Sequence, residues 1–177
     1  RIALCGGSTP SLTYKLLSEQ SIDWPKLDLF LGDERWVDLD DDLSNAKMVK
    51  STLLSTEQSK QALFYEIDTT ELISAEESSL SYSLKIKTVF QNESPVFDLI
   101  LLGLGDDGHT ASLFPYTPSL DVKSSITTVS FGSNMQRITL TAPVLSAAKK
   151  VIFLVSGSSK QLALSRLFDS SESSNRT

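Results

Sequence analysis

Short apolar runs alternate with helix-like segments along the 177-residue sequence, and this alternation constrains the fold more than any other feature. The predicted strands are "IALC" (2–5), "LDLFLG" (27–32), "LFYEI" (63–67), "FDLILLGL" (97–104) and "VIFLVSG" (151–157). Strands that alternate with helices form α/β folds with a mostly parallel sheet. We predict such a sheet, flanked by helices, with a small extension from "ITTVSF" (126–131) and "RITLT" (137–141).

The helices are predicted from apolar spacing and capping residues. Ser44 is a plausible N-cap for "SNAKMVKSTLL", and "PVLSAAKK" and "SSKQLALSRLF" are predicted to be shorter helices. Residues 10–18 and 70–90 have apolar residues at helical spacing, which predict buried faces: Leu12, Leu16 and Leu17 in the first, and Leu80, Leu84 and Val89 in the second. We expect one domain over residues 1–168 and a flexible tail over residues 169–177, which is rich in serine.

Polar clusters follow four of the predicted strands: "GGSTP" (6–10), "GDERW" (32–36), "GDDGH" (105–109) and "SGSSK" (156–160). In open α/β sheets, ligands bind in a crevice at the carboxyl ends of the strands. We therefore expect these four clusters, which come from separate parts of the chain, to converge on one binding site.

Two of the clusters are suited to bind an anion. Gly6 and Gly7 allow a sharp turn, after which the amides and hydroxyls of Ser8 and Thr9 point out of a helix N-terminus towards a phosphate. The alternative is an ordinary capped turn. The sequence is neither GxGxxG nor a P-loop, so it does not indicate a nucleotide.

Two cations are candidates for the same anion. Lys160 lies in the first turn of a predicted helix, where its charge is unfavourable unless an anion is bound. Arg137 opens "RITLT" and can hold a phosphate with a forked pair of donors. The alternative for each is an exposed side chain in solvent.

The cluster "GDERW" contains Asp33, Glu34 and Arg35. The alternation of side chains predicts that one of the two carboxylates faces the crevice and the other faces away. A solvated turn is the alternative interpretation.

The only histidine of the sequence, His109, follows the most apolar strand. An imidazole can take a proton from water and return it to a leaving oxygen. Asp107 is close enough in sequence to hold the tautomer of His109 or to orient a substrate. A histidine that caps a helix is the alternative, and a metal site is disfavoured because only carboxylates could complete it.

Composition excludes several classes of partner. The net charge of -6 argues against nucleic acid and anionic membranes. One cysteine, Cys5, excludes an internal disulfide and favours a reducing compartment, with the cytoplasm as the expected location and an organelle as the alternative.

The motifs "LCGGSTP", "LGDERWV", "FDLILLGLGDDGHTASLFP", "RITLT" and "FLVSGSSKQLAL" occur in this order between residues 2 and 168. Together they closely resemble the 6-phosphogluconolactonase family, within the wider glucosamine-6-phosphate isomerase superfamily. The resemblance implies a Rossmann-like domain that hydrolyses 6-phospho-D-glucono-1,5-lactone without a cofactor. It also implies helices before the first strand and a segment after the last helix, and it leaves open a fusion or association with glucose-6-phosphate dehydrogenase.

The resemblance also implies roles for individual residues. His109 is similar to the catalytic base, and Asp33 and Asp107 resemble acidic residues that line the sugar site. The phosphate grip is expected to consist of the loop Gly6–Thr9 (Gly6, Gly7, Ser8 and Thr9) with Arg137 and Lys160, joined by Arg35.

Phe114 separates two branches of the superfamily. The deaminases carry a glutamate at this position, just before the proline, whereas this chain has Phe114 followed by Pro115. The difference favours a lactonase over an amino-sugar phosphate deaminase. A domain that senses phosphosugars without catalysis is the second alternative.

Overall fold

The computed structural model describes residues 1–169, which form one parallel and one antiparallel sheet. The parallel sheet contains, from edge to edge, β4 (Leu63–Tyr65), β2 (Asp28–Leu31), β1 (Ile2–Leu4), β5 (Leu99–Leu102) and β8 (Val151–Phe153). The antiparallel sheet contains β3 (Asp33–Arg35), β7 (Met135–Leu140) and β6 (Thr127–Gly132). The helices are α1 (Ser8–Ser18), α2 (Asn45–Thr52), α3 (Ala75–Val89), α4 (Ala142–Ser146) and α5 (Gln161–Leu167). The predicted fold class is confirmed.

The strand order places β1 at the centre of the parallel sheet, between β2 and β5. The chain extends the sheet first from β1 through β2 to β4, and later on the other side through β5 to β8. The direction in which successive strands are added to the sheet therefore reverses between β1 and β5. In doubly wound sheets this switch point opens a crevice at the carboxyl ends of the strands.

Gly32 connects the two sheets. Its amide donates to the carbonyl of Leu4 in β1 at 2.8 Å, and its carbonyl accepts from the amide of Leu140 in β7 at 2.8 Å. The next residue, Asp33, already pairs with Thr139 of β7. Because of this single-residue link, the antiparallel sheet starts at the edge of the crevice.

Two buried tyrosines hold the carboxyl ends of β1 and β2. The Tyr14 hydroxyl of α1 accepts from the amide of Cys5 and donates to its carbonyl, both at 3.0 Å. The Tyr82 hydroxyl of α3 makes the same pair of bonds with Leu31, at 2.8 and 3.0 Å. Each helix thereby fixes the point at which a loop of the crevice begins.

The buried faces of α1 and α3 differ from the predicted ones. Leu12 and Leu16 are exposed, as are Leu80 and Leu84. Helix α1 instead buries Pro10, Tyr14 and Ser18, and α3 buries Tyr82, Ile86 and several serines. The hydroxyls of Ser79 and Ser83 lie 2.9 and 2.6 Å from the Thr127 hydroxyl of β6. The prediction of an apolar buried face on α3 was wrong because pairing between hydroxyls, which apolar spacing does not reveal, determines which side of α3 is buried.

The last strand also differs from its prediction. The apolar segment 151–157 predicts a buried strand, but all three residues of β8, which lies at an edge of the sheet, are exposed in the described part of the chain. Ser44 does cap α2, since its hydroxyl accepts from the amide of Lys47 at 3.1 Å. The predicted tail lies, apart from its first residue, outside the described residues.

Replacing Tyr14 or Tyr82 by phenylalanine should destabilise the protein. Each substitution leaves a buried amide and a buried carbonyl without their partner, which costs about 1–3 kcal/mol. The free energy of unfolding from urea denaturation measures the loss. Tyr65→Phe is the control: its hydroxyl makes a single 3.3 Å bond to Asp28 at a half-buried site, so a smaller loss is expected. Equal losses in all three variants would contradict the role of the two buried hydroxyls.

Candidate active site

A cavity of about 250 Å³ opens at the switch point of the parallel sheet. It is lined by the ends of β1 and β5, by β3 and β7, and by the starts of α2 and α5. Its lining includes Gly6, Gly7, Asp33, Arg35, His109, Arg137 and Lys160. Seven of the ten residues predicted for the site therefore share one cavity; the other three, Ser8, Thr9 and Asp107, do not line it.

His109 and Asp107 form a hydrogen-bonded pair in the turn after β5. Nδ1 of the imidazole lies 2.6 Å from Oδ1 of Asp107, and the same oxygen accepts from the amide of His109 at 3.1 Å. The turn is closed by a bond from the Gly105 amide to the His109 carbonyl at 2.7 Å. The imidazole is therefore fixed at both its backbone and its ring.

The charge of Asp107 determines which nitrogen of the imidazole is available. Partial burial raises the pKa of Asp107, but the hydrogen bonds from the amide and ring of His109 outweigh it, so the pKa lies below its usual value. The ionised carboxylate accepts a hydrogen bond from Nδ1–H, so in the neutral imidazole Nε2 is the nitrogen that can act as a base. This geometry is the one in which a histidine takes a proton from water.

Two arginines face each other across the antiparallel sheet at the cavity wall. Arg35 of β3 is paired in register with Arg137 of β7. Burial and the charge of Arg35 lower the pKa of Arg137, while Asp33, whose carboxylate is 4.0 Å from an Nη of Arg137, opposes the shift. Like charges directly opposite each other on a sheet are destabilising. An anion in the cavity would relieve this repulsion.

Arg35 is incompletely satisfied by the protein. One of its Nη atoms donates to the carbonyl of Leu43 at 2.5 Å, but its buried Nε has no hydrogen-bond partner among residues 1–169. A buried donor without a partner costs free energy. The unpaired Nε indicates that this wall of the cavity can bind an acceptor from outside the chain.

The loops that follow β1 and β8 meet beside the wall of the cavity that carries Lys160. The hydroxyls of Thr9 and Ser156 lie 2.8 Å apart, which explains why Thr9 does not line the cavity. Lys160 does line the cavity, with Nζ 2.6 Å from Oδ1 of Asp106, and this contact lowers the pKa of Asp106. Gly7 and Gly157, at the starts of these two turns, have φ values of 113° and 99°, which favour glycine.

Asp33 is held by residues that the sequence analysis did not assign to the site. Its carboxylate accepts from the Ser112 hydroxyl at 2.5 Å, and its carbonyl accepts from the Asn45 side chain at 2.8 Å. The Asn45 side chain also packs on Gly6, where a Cβ would lie 1.9 Å from its Oδ1. Only the position of Asn45 at a capped helix start could have indicated its role; Ser112 carries no such signal.

Glu34 faces away from the cavity, as the alternation of side chains predicts. Its carboxylate accepts from the amides of Asn45 and Ala46 at 2.8 and 2.7 Å, which are the first amides of α2. Burial raises the pKa of Glu34, and the bonds from these amides oppose the shift. The carboxylate therefore anchors α2 to β3 and so sets the position of Asn45. The segment "DER" is a strand, Asp33–Arg35, and the alternative of a solvated turn is wrong.

Residues 1–169 contain no group of three or more histidine, cysteine, aspartate or glutamate side chains that could hold a metal ion. In the same part of the chain, no helix is long and apolar enough to cross a bilayer.

A parallel sheet with a polar cavity at its switch point, lined by several cations and by a histidine that Asp107 orients, defines an α/β enzyme. The chain belongs to the glucosamine-6-phosphate isomerases/6-phosphogluconolactonase family, whose sequence profile matches residues 1–176. The resemblance inferred from the motifs is thereby confirmed.

Individual relatives and solved structures agree with this membership. A 6-phosphogluconolactonase of Synechocystis sp. is 43% identical over 170 residues, which are 94% of this chain and 70% of the relative. That of Nostoc sp. is 39% identical with the same coverage. The crystal structure of a 6-phosphogluconolactonase from Shewanella baltica has a TM-score of 0.86 at 29% identity and covers 96% of this chain and 72% of its own. The enzyme from Trypanosoma brucei has a TM-score of 0.83 at 31% identity, with coverages of 97% and 75%.

Gly105→Ala should displace the imidazole. A Cβ at Gly105 would lie 2.1 Å from Nδ1 of His109 and 2.7 Å from Oδ1 of Asp107, so the ring must leave its partner. The 177 residues contain one histidine, so its ring ¹⁵N resonances report on it directly. We expect the wild-type Nδ1–H tautomer to be lost in the variant. Gly103→Ala is the control, because the nearest atom to its Cβ would be 4.0 Å away. Unchanged ring resonances in Gly105→Ala would contradict the described contact.

Proposed function

We propose that this protein hydrolyses 6-phospho-D-glucono-1,5-lactone to 6-phospho-D-gluconate, the second step of the oxidative pentose phosphate pathway. The observation that carries the proposal is a single cavity lined by the imidazole of His109 and by the cations of Arg35, Arg137 and Lys160. Relatives that are up to 43% identical bear the name 6-phosphogluconolactonase, which supports the same reaction.

The phosphate group binds to the cationic walls of the cavity. Arg35 and Arg137 repel each other in the free protein, and a phosphate placed between them turns this repulsion into charge-assisted hydrogen bonds. Lys160 adds a further donor on the opposite wall, together with the backbone of Gly6 and Gly7. Binding at this end positions the lactone carbonyl beside His109.

The chemical step is the attack of water on the lactone carbonyl. Nε2 of neutral His109 removes a proton from the water as its oxygen bonds to C1. Asp107 stabilises the imidazolium through Nδ1–H. The tetrahedral intermediate then collapses, the bond between C1 and the ring oxygen breaks, and the imidazolium returns its proton to that oxygen. One residue serves as base and then acid, which contributes about 10²–10⁴-fold.

The proposal extends to location and partners. The single cysteine favours a reducing compartment, so we assign the reaction to the cytoplasm, with an organelle as the alternative. A fusion or association with glucose-6-phosphate dehydrogenase would bring the enzyme that forms the lactone close to this site.

Substitutions should separate catalysis from phosphate binding. His109→Asn should lower kcat by about 10²-fold or more because the proton transfer is lost, with little change in affinity for 6-phosphogluconate. Arg137→Ala and Lys160→Ala should mainly raise KM. The measurement is a coupled lactonase assay on freshly generated lactone, corrected for spontaneous hydrolysis. A near-normal kcat in His109→Asn would exclude His109 as the base, whereas phosphosugar binding without lactonase activity in the wild type would favour a phosphosugar-sensing domain.

The deaminase alternative makes a different prediction. An apolar ring, Phe114, lies beside His109 at the position where deaminases of the superfamily have a glutamate. We therefore expect no ammonia release when the wild-type protein is incubated with glucosamine 6-phosphate. Lactonase activity in the same preparation is the positive control, and ammonia formation at a comparable rate would favour the deaminase.

A further inference from the structure

Phe114 contacts two functional groups of the cavity at once. Its ring centroid lies 4.3 Å from that of the His109 imidazole, with the two planes inclined by 36°. The guanidinium carbon of Arg137 lies 5.3 Å from the same Phe114 centroid. The ring is therefore a physical link between the proton-transfer group and one of the phosphate-binding cations.

The burial of Phe114 is not explained by the hydrophobic core. Its side chain is 7% exposed, yet it does not belong to the contiguous cluster of buried apolar residues that packs around the parallel sheet. Its neighbour Leu113 does belong to that cluster. Phe114 is therefore buried partly by its contacts with His109 and Arg137 of the site.

The hairpin between β6 and β7 holds the ring in place. A Cβ at Gly132 would lie 2.2 Å from a ring carbon of Phe114, so only glycine allows this approach. The carbonyl of Gly132 accepts from Nε of Arg137 at 3.2 Å. Gly132 thus fixes both the guanidinium of Arg137 and one edge of the Phe114 ring. Any movement of that ring alters its contact with the imidazole of His109.

We propose that Phe114 is a positioning residue that couples His109 to Arg137, and so sets the distance between the proton-transfer group and the bound phosphate. The proposal rests on the proposed function, because it assigns Phe114 to the same site. The attraction between a guanidinium and the face of an aromatic ring restrains Arg137. The packing of the two rings restrains the imidazole against rotation away from Asp107.

Phe114→Leu tests the proposal, because leucine keeps apolar bulk but has no aromatic face. We expect kcat to fall and KM for the lactone to rise, each by about 3- to 10-fold, since both functional groups lose their restraint. Phe90→Leu is the matched control. Phe90 is 5% exposed, lies 4.5 Å from the guanidinium carbon of Arg1 and packs on Phe97. Arg1 and Phe97 precede β1 and β5, so Phe90 lies at the amino ends of these strands, whereas the cavity lies at their carboxyl ends. That variant should lose thermal stability but keep kcat and KM within about twofold.

Two further measurements distinguish coupling from a general packing defect. Gly132→Ala keeps phenylalanine at position 114 but forces its ring to move. It should therefore lower kcat and raise KM, as Phe114→Leu does. In a double-mutant cycle, the effect of Arg137→Ala on KM should be smaller in the Phe114→Leu background than in the wild type. If Phe114→Leu fails to fold, trifluorophenylalanine at position 114 replaces it as the test. This residue preserves the shape of the ring but weakens its negative face, and should raise KM.

A readout without the lactone keeps this proposal separate from the proposed function. Inorganic phosphate should bind Phe114→Leu at least about threefold more weakly than wild type, and the shift that it causes in the His109 ring resonances should be at most half as large. An inactive wild-type protein would contradict the proposed function, while these two phosphate measurements would still decide the role of Phe114. Unchanged phosphate affinity and unchanged ring shifts, or kinetics of Phe114→Leu that match those of Phe90→Leu, would overturn the proposal.

Discussion

The register of β3 on β7 is the constraint on which the site depends, because it sets Arg35 directly opposite Arg137. Two adjacent guanidiniums on a sheet repel each other, and the carboxylate of Asp33 balances only one charge. The protein tolerates the pair because rigid neighbours hold it in place. Gly32 ties β3 to both sheets, and the buried carboxylate of Glu34 anchors the start of α2 against it. The free protein thereby maintains a cavity that is complementary to an anion before the anion arrives.

The proposed proton-transfer pair, His109 and Asp107, is held at the end of the parallel sheet by contacts that do not involve β3 or β7. His109 lies in the tight turn that follows β5, and its orientation is fixed by Asp107 and by the backbone of Gly105. The parallel sheet therefore positions His109, the proposed proton-transfer group, while the antiparallel sheet positions Arg35 and Arg137, two of the proposed phosphate-binding cations. A site that spans two sheets needs a fixed distance between them, and the hydroxyl of Ser112 on Asp33 is one direct contact that provides it.

Much of this arrangement could be predicted from the sequence. The strand pattern and the polar clusters at strand ends predicted the fold class and six of the cavity-lining residues, because parallel strands must bring their carboxyl ends together. The seventh, Arg137, was predicted from its place at the start of "RITLT". The helix faces could not be predicted. Helix α3 packs through Ser79 and Ser83, whose hydroxyls pair with Thr127, a residue 44 or 48 positions away. Such pairing over long distances leaves no periodic signal in either segment. The edge position of β8 likewise follows from strand order, which local apolarity does not encode.

The contact between the hydroxyls of Thr9 and Ser156 joins residues that are 147 positions apart. It fastens the loop after the first strand to the loop after the last one, so the wall that carries Lys160 is complete only when both strands are in the sheet. No shorter stretch of the sequence contains both halves of that wall. During synthesis on the ribosome, the emerging chain can therefore form most of its sheet and still lack a closed pocket. This wall can contribute to ligand capture only after the segment that contains Ser156 and Lys160 has left the exit tunnel.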